Sequence, residues 1–426
     1  MNTSETFKEF LDNLKISNKD DISYKYKRIT KALNKSFYDD LDSETLHSLQ
    51  VGSYGRKTAI DGISDLDMIF EISDDDFKKY DSRVNNGQSD LLQDTKKAIE
   101  KTYPNTDVRG DGQVVVVSFT NFVVEVCPAN LQNDNSYKYP DSNDGGSWKI
   151  TKPRQEISEL NSYNQTTNSN LKNLCKMTRA WKNKNGVKMG GLLIDTFCYD
   201  FLKTNEDYHS TTFSSYDELV RDFFKYVSEL SKEQKFWYAP GSNQKVYKKT
   251  NFHSKAKKAF NNAQEAIDKK DNKTVYSIWR KIFGNKFPYP QVALESSENY
   301  SSSEEFIENQ YPIDIKYNLN IDCLVKQQGF RDALLSSLRI LRSTKKLKFY
   351  IVGNEVPKPY EVKWKVKNLG SIAKRKNMFR GQIHNDQGKE TRNENSNFNG
   401  EHYVECYIIK NGVCVATDRI DVPISI

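Results

Sequence analysis

One short segment restricts most strongly what this chain can become. It reads Val51-Gly-Ser-Tyr-Gly-Arg-Lys-Thr58 and, a few residues on, Asp65-Leu-Asp-Met-Ile-Phe70, with Gly52, Gly55 and Gly62 breaking it into strand and turn. Asp65 and Asp67 stand at i and i+2. On an extended segment both carboxylates share one face, while Leu66, Met68 and Phe70 turn to the core. Two hard oxygen ligands on a rigid strand suit Mg²⁺ held jointly with a nucleoside triphosphate. Gly52 and Ser53 are expected to end the preceding strand. A residue without Cβ there lets phosphate oxygens approach backbone N–H groups, and the Ser53 hydroxyl adds a donor.

Two-metal phosphoryl transfer asks for a third carboxylate, on the metal that activates the attacking hydroxyl. Glu125 is the candidate. It lies in Phe122-Val-Val-Glu-Val-Cys127, and an acid inside a run of valines is costly unless it is paired or metal-bound. The alternative is a solvated glutamate on an edge strand. Taken with the Gly-Ser turn and the Asp-x-Asp strand in this order, the metal set Asp65, Asp67 and Glu125 is the stronger reading. The expected cofactor is a pair of Mg²⁺ ions, with Mn²⁺ as a substitute.

The rest of the chain sets the frame. At 426 residues it predicts two or three domains. A helix is expected over Ile22 to Asp40, and strands over Val114 to Phe119 and Phe122 to Val126 with a Thr120-Asn121 turn between them. From Asn170 to about Pro290 the periodicity is helical, with Leu171, Leu174, Thr178 and Trp181 on one face. Glu295 to Glu305, with five Ser and four Glu, reads as a linker. A helix over Gly329 to Arg342 is expected next. Strands should follow at Lys345 to Val352, Tyr360 to Lys367, Met378 to Ile383, Glu401 to Ile409 and Val413 to Ile420. Asn411-Gly412 is a type I′ hairpin signal. The fold class is therefore α/β (α+β), a mixed sheet with a helical lobe and a small β-rich C-terminal domain. The expected boundaries are 1–165, 166–310 and 311–426.

Charge and cysteine content narrow the function. Residues 1 to 130 hold 17 basic and 23 acidic residues, whereas 320 to 426 hold 19 basic and 11 acidic. An acidic front and a basic tail suggest a cation site and an anion-binding surface. No apolar run approaches the roughly 18 residues of a membrane span. Six cysteines without a C-x-x-C pair suit free thiols in a reducing cytoplasm. Neither a Walker A loop nor a dinucleotide fingerprint is present, and the five histidines show no metal spacing.

With these motifs in place, the whole chain resembles the bacterial cGAS/DncV-like nucleotidyltransferases of the SMODS type. Gly52-Ser53, Asp65-x-Asp67 and Glu125 carry the first part of the likeness. The second comprises Lys188-Met-Gly-Gly-Leu-Leu-Ile-Asp195, Trp237-Tyr-Ala-Pro-Gly-Ser242, Phe252-x-x-Lys-Ala-Lys-Lys-Ala259 and Trp279-Arg-Lys-Ile-Phe-Gly284. The third is Pro359 to Asn368, Arg380-Gly381 and Gly400 to Ala416, which resembles the adenylyl/guanylyl and SMODS C-terminal sensor domain. Many relatives have Asp where this chain has Glu125. The resemblance implies a polymerase-β-like fold and synthesis of cyclic di- or trinucleotides from ATP, GTP or other nucleoside triphosphates, with pyrophosphate release. It further implies a co-encoded effector, antiphage defence of the CBASS kind and activation by an infection-derived ligand, RNA being the first expectation. Two other readings stay open: linear nucleotidyl transfer to RNA or protein, and a catalytically silent RNA-binding regulator.

Secondary sites follow from spacing and from that resemblance. Lys172, Lys176 and Arg179 ride one helix. The resemblance implies that one basic residue there meets the triphosphate, with Lys176 favoured over Lys172. Arg56 and Lys57 either touch phosphates or face solvent, and Trp148 either packs or approaches an acceptor base. Three basic tracts are candidate RNA contacts: Tyr24 to Lys35 with Lys27, Lys31 and Lys35; Lys245 to Lys258 with six lysines; and Lys363 to Arg380. In the last, Lys363, Lys365 and Lys367 alternate along a strand, and Lys374, Arg375 and Lys376 follow. Each tract is also open to reading as a solvated face.

Overall fold

The valine-rich stretches on either side of Thr120-Asn121 become the middle of a mixed sheet in the computed structural model of the chain. The structure describes all residues except 63–64, 270–273, 290–304, 312–314, 327–330, 339–340, 342–344, 369–379, 387, 397–401, 423 and 425–426, and the side chains of 308–309. The expected linker over 295–304 and the basic residues Lys374, Arg375 and Lys376 lie outside the described residues. Two compact units emerge, Met1–Asn185 with Met189–Tyr289, and Gly186–Lys188 with Pro290–Ile426.

The first unit opens with α1 (Thr3–Asn13), α2 (Lys19–Phe37), β1 (Ser48–Gln50), the single turn α3 (Gly52–Gly55) and β2 (Asp65–Glu71). Next come α4 (Asp74–Asp81), α5 (Gly87–Glu100), β3 (Asp107–Asp111), β4 (Val114–Ser118) and β5 (Val123–Leu131). β6 (Tyr137–Asp141) and β7 (Ser147–Thr151) complete a seven-stranded sheet whose main path is β1-β2-β5-β4-β3. Only β2 and β5 run parallel among its described pairs. Leu66, Met68 and Phe70 alternate into the core with Val124, Val126 and Ile29, as a half-buried strand requires.

The helical part contains α6 (Pro153–Thr166), α7 (Asn170–Lys184), α8 (Gly191–Thr204) and α9 (Tyr216–Glu229). A hairpin of β8 (Phe236–Tyr238) and β9 (Lys245–Tyr247) interrupts it before α10 (His253–Asp268) and α11 (Thr274–Phe283). Sequence periodicity predicts neither the helix at Pro153 nor the hairpin. The first begins on a proline at its first turn, and the second is too short for periodicity to show.

The second unit holds the short α12 (Ile307–Gln310), then β10 (Leu319–Lys326), β11 (Ala333–Leu334), β12 (Lys346–Asn354), β13 (Glu361–Asn368), β14 (Arg380–Asn385), β15 (Thr391–Asn395), β16 (His402–Lys410) and β17 (Val413–Val422). They form two antiparallel sheets, β11-β10-β12-β15 and β14-β13-β16-β17, around one shared core that includes Phe349, Trp364, Val404 and Cys406. The expected helix over 329–342 is corrected: its described residues form β11, a short 3₁₀ turn at Leu335–Ser337 and a bridge at Leu341. Pairing with β10 outweighs local helix propensity there. All six cysteines are free, and no helix among the described residues is long and apolar enough to cross a membrane.

Candidate active site

Strand register decides where the three acids meet. β2 and β5 are adjacent and parallel, with Asp67 directly beside Glu125 and Asp65 beside Val123. Carboxylate oxygens of Asp65, Asp67 and Glu125 lie within 4.8 Å of one another, and all three residues are half-buried. Such a set offers only hard oxygen donors, which fits Mg²⁺ or Mn²⁺ and not a thiolate-seeking ion.

The Gly-Ser turn is pinned against this cluster. The Val51 N–H donates to the Asp67 carbonyl at 2.9 Å, so the chain leaves β1 alongside the second aspartate. Gly52 has φ +61°, and a Cβ built there would fall 1.7 Å from an Asp67 carboxylate oxygen. A side chain at this position would occupy the space in front of the acids. Gly52 and Ser53 begin the single helical turn α3, whose first N–H groups have no partner within the turn. The Ser53 carbonyl accepts from the Thr58 and Ala59 N–H groups at 2.9 and 3.1 Å, closing the loop behind it.

Arg56 does something that the sequence did not reveal. It is buried, with Nε donating to Asp195 Oδ2 at 2.9 Å and Nη1 lying 3.5 Å from Glu156. Arg179 donates to both oxygens of Asp195 at 2.6 and 2.9 Å, and the Thr58 hydroxyl donates to the same carboxylate at 3.1 Å. The Ser242 hydroxyl completes the group on Glu156 at 3.1 Å. Two guanidinium groups and two carboxylates therefore join the Gly-Ser loop to α6, α7 and α8. Burial alone would raise the Asp195 pKa, but Arg179 and Arg56 carry it below the ordinary aspartate value. Neither Arg56 nor Arg179 is a solvent-facing phosphate ligand. The available signal was Asp195 within the apolar run Leu192 to Leu202, an acid that demands a buried partner.

Lys172 and Lys176 both lie half-buried on α7. Lys172 donates to the Asn161 side-chain oxygen. Burial first, then Lys57 and Lys176, lower its pKa. For Lys176 burial leads, followed by the positive charge of Lys19, and both lower its pKa. Lys57, just after the Gly-Ser turn, is exposed. Trp148 packs on Phe77 with ring centroids 4.6 Å apart, which favours the packing reading.

Of the basic tracts, the lysine stripe on β13 is not a surface. Lys363, Lys365 and Lys367 are buried, although their strand neighbours Val362, Trp364 and Val366 already fill the core on the other side. Residues around α12 cover the lysine side. Lys365 Nζ lies 4.8 Å from the Phe306 ring and 3.5 Å from Glu405, while Lys363 lies 5.2 Å from the Tyr311 ring and donates to Asn385 at 2.6 Å. The expectation that these three lysines form an exposed phosphate stripe is corrected, because the outer face of this sheet is itself packed. On α2, Lys27 and Lys35 are exposed, whereas Lys31 pairs with Asp42 at 2.6 Å.

Residues 1–164 match the Second Messenger Oligonucleotide or Dinucleotide Synthetase domain, and residues 301–425 match the Adenylyl/Guanylyl and SMODS C-terminal sensor domain. The chain is a cGAS/DncV-like nucleotidyltransferase with a C-terminal sensor domain. This nucleotidyltransferase is 24% identical over 274 residues to a Bacillus cereus (strain VD146) protein named as a probable cyclic nucleotide synthase, covering 56% of this chain and 81% of that one. It is 20% identical over 299 residues to the cyclic AMP-AMP-AMP synthase of an Acinetobacter species (strain ATCC 27244 / 9458), covering 68% and 86% respectively. Its fold is similar to that of the E. coli MS115-1 CdnC:HORMA-deltaN complex, with a TM-score of 0.50 at 17% identity, covering 67% of this chain and 98% of that one.

Proposed function

We propose that this nucleotidyltransferase makes cyclic di- or trinucleotides from nucleoside triphosphates such as ATP and GTP. The observation that carries the reading is the register of Asp67 beside Glu125, with Asp65 in the same 4.8 Å cluster next to the Gly52-Ser53 turn. Asp65, Asp67 and Glu125 would hold two Mg²⁺ ions. When bound, they supply Lewis acidity that lowers the pKa of an acceptor ribose hydroxyl and offsets triphosphate charge. The Ser53 hydroxyl and the backbone of its turn orient the donor triphosphate, and the absent side chain at Gly52 leaves room for it. A basic residue of α7, with Lys176 favoured over Lys172, is the proposed contact to the same phosphates. The acceptor hydroxyl attacks the α-phosphorus in line and pyrophosphate leaves. A second transfer closes the ring.

The two named relatives, both cyclic nucleotide synthases by name, support this class of product. The sensor domain supports control of the reaction by a ligand, for which infection-derived RNA is the reading we favour, and an antiphage role through a co-encoded effector follows from the same class. The test is incubation with all four labelled nucleoside triphosphates and Mg²⁺, with and without RNA from phage-infected cells, followed by phosphatase digestion and chromatography. A phosphatase-resistant product absent from the Asp65→Asn/Asp67→Asn variant is expected. A product whose chromatographic position shifts on phosphatase digestion, through loss of a terminal phosphate, would instead favour linear transfer, and product from the variant would remove the site assignment.

A further inference from the structure

The hairpin β8–β9 packs only one of its faces. Its register pairs Phe236 with Tyr247, Trp237 with Val246 and Tyr238 with Lys245. Directly opposed residues share a face, as do residues two apart, so Phe236, Tyr238, Lys245 and Tyr247 all project to one side. Trp237 takes the other side, buried against Phe197 at 4.9 Å between ring centroids. Gln244 fixes the turn from behind, accepting from the Lys152 N–H at 3.1 Å and donating to the Ile150 carbonyl at 3.0 Å. The hairpin is thus held in place by one face while the other stays open.

That open face is aromatic and cationic. Tyr238 and Tyr247 are 54% and 59% exposed, far more than packing rings need. Phe236 sits between them, 5.5 Å from Tyr238 and 5.6 Å from Tyr247, and Lys245 Nζ stands 4.4 Å from its centroid. Residues 231 to 258, which contain the hairpin, carry eight lysines against one acid, Glu233. Three adjacent rings invite flat, stacking partners, and a concentrated positive charge invites a phosphate backbone. No aliphatic side chain projects from this face of the two strands, which argues against insertion into a lipid surface.

We propose that the outer face of the β8–β9 hairpin is a platform for single-stranded nucleic acid, with Tyr238, Phe236 and Tyr247 stacking on bases and Lys235, Lys245 and Lys249 meeting phosphates. Stacking accepts any base and charge accepts any backbone, so the platform reads strandedness and not sequence. It stands on residues separate from the acidic cluster. The six lysines expected from sequence supply only the electrostatic half; Phe236 and Tyr238 come from the opposite side of the turn.

The test is fluorescence anisotropy of the full chain, without nucleoside triphosphate or divalent ion, so that the outcome is independent of synthesis. Probes are an oligouridylate and an oligothymidylate of about 12 nucleotides, a duplex of equal length, and phosphatidylserine vesicles. Both single strands should bind more tightly than the duplex. Tyr238→Ala/Tyr247→Ala should weaken binding by about tenfold or more, while Tyr238→Phe/Tyr247→Phe retains it, because stacking needs the ring and not the hydroxyl. Lys245→Glu should reduce the dependence of log K on log salt by about 0.7 for each phosphate that is no longer neutralised. Should the alanine pair unfold, as circular dichroism would show, the lysine variant carries the test alone. Unchanged affinity in the folded alanine pair, an unchanged salt slope in Lys245→Glu, preference for the duplex, or capture by vesicles in place of the strands each overturns the proposal.

Discussion

Two clusters of charge in the first unit, only a loop apart, follow opposite rules. Asp65, Asp67 and Glu125 gather three carboxylates of one sign at half-exposed positions. Arg56, Arg179, Asp195 and Glu156 gather two charges of each sign, all of them buried. Like charges that converge within 4.8 Å suit a shared cation. Balanced charges removed from water serve one another, and their hydrogen bonds fix geometry. The difference separates chemistry from scaffolding: the first cluster offers ligand atoms suited to a metal ion, and the second holds the Gly-Ser turn against the helices.

The comparison breaks first at the acids. Asp65→Asn/Asp67→Asn should cut product formation by about a thousandfold or more, several kcal/mol of lost transition-state stabilisation. Added Mg²⁺ should raise the melting temperature of the unaltered chain and not of the variant; an equal rise in both would show that the ion binds elsewhere.

The buried cluster should fail through stability instead. Asp195→Ala leaves Arg56 and Arg179 without their shared carboxylate, at a cost of about 3–5 kcal/mol, read by denaturant unfolding. Its pKa is depressed in the folded state, so its contribution is present above the ordinary aspartate value of about 3.9 and is lost as pH falls through the lower folded value. Acid titration of stability in Asp195→Asn should lack that portion of the slope, and an identical profile would contradict the network's role.

Smaller effects sharpen the contrast. Lys365→Gln breaks the buried contact with Glu405, and destabilisation of the second unit by about 3 kcal/mol is expected. Nucleic-acid affinity should stay unchanged; a fall in affinity without a fall in stability would restore the lysines as a surface. Gly52→Ala combines positive φ with a Cβ in front of Asp67, so we expect about 1–2 kcal/mol of destabilisation. Its activity should fall by more than its folded fraction, measured as initial rate against melting temperature. Smallest of all, Lys31→Ala removes an exposed pair with Asp42 and should leave the melting temperature unchanged within error.

Several of these features are legible in the amino-acid sequence alone. The i, i+2 aspartates on a strand, the glycine punctuation before them, the valine strands and the hairpin at Asn411-Gly412 are all local patterns. Local patterns survive because side-chain alternation and turn chemistry depend on neighbouring residues alone. The lysines of β13 show the reverse. Their alternation predicted a shared face correctly, yet nothing in the spacing told whether that face met solvent or the rings of Phe306 and Tyr311.

Sequence by itself determined the kinds of groups present and the faces they share: the acids, the turn that precedes them and the basic and aromatic residues around Trp237. Tertiary structure alone decided which of those faces meet. It set Asp67 beside Glu125 across a parallel pair that spans the intervening helices, drew Arg56 inward to Asp195, closed a cover over Lys365 and left Tyr238 and Tyr247 exposed. The physical reason is range. Backbone periodicity acts over a few residues, whereas register and burial are settled by contacts between segments far apart in the chain.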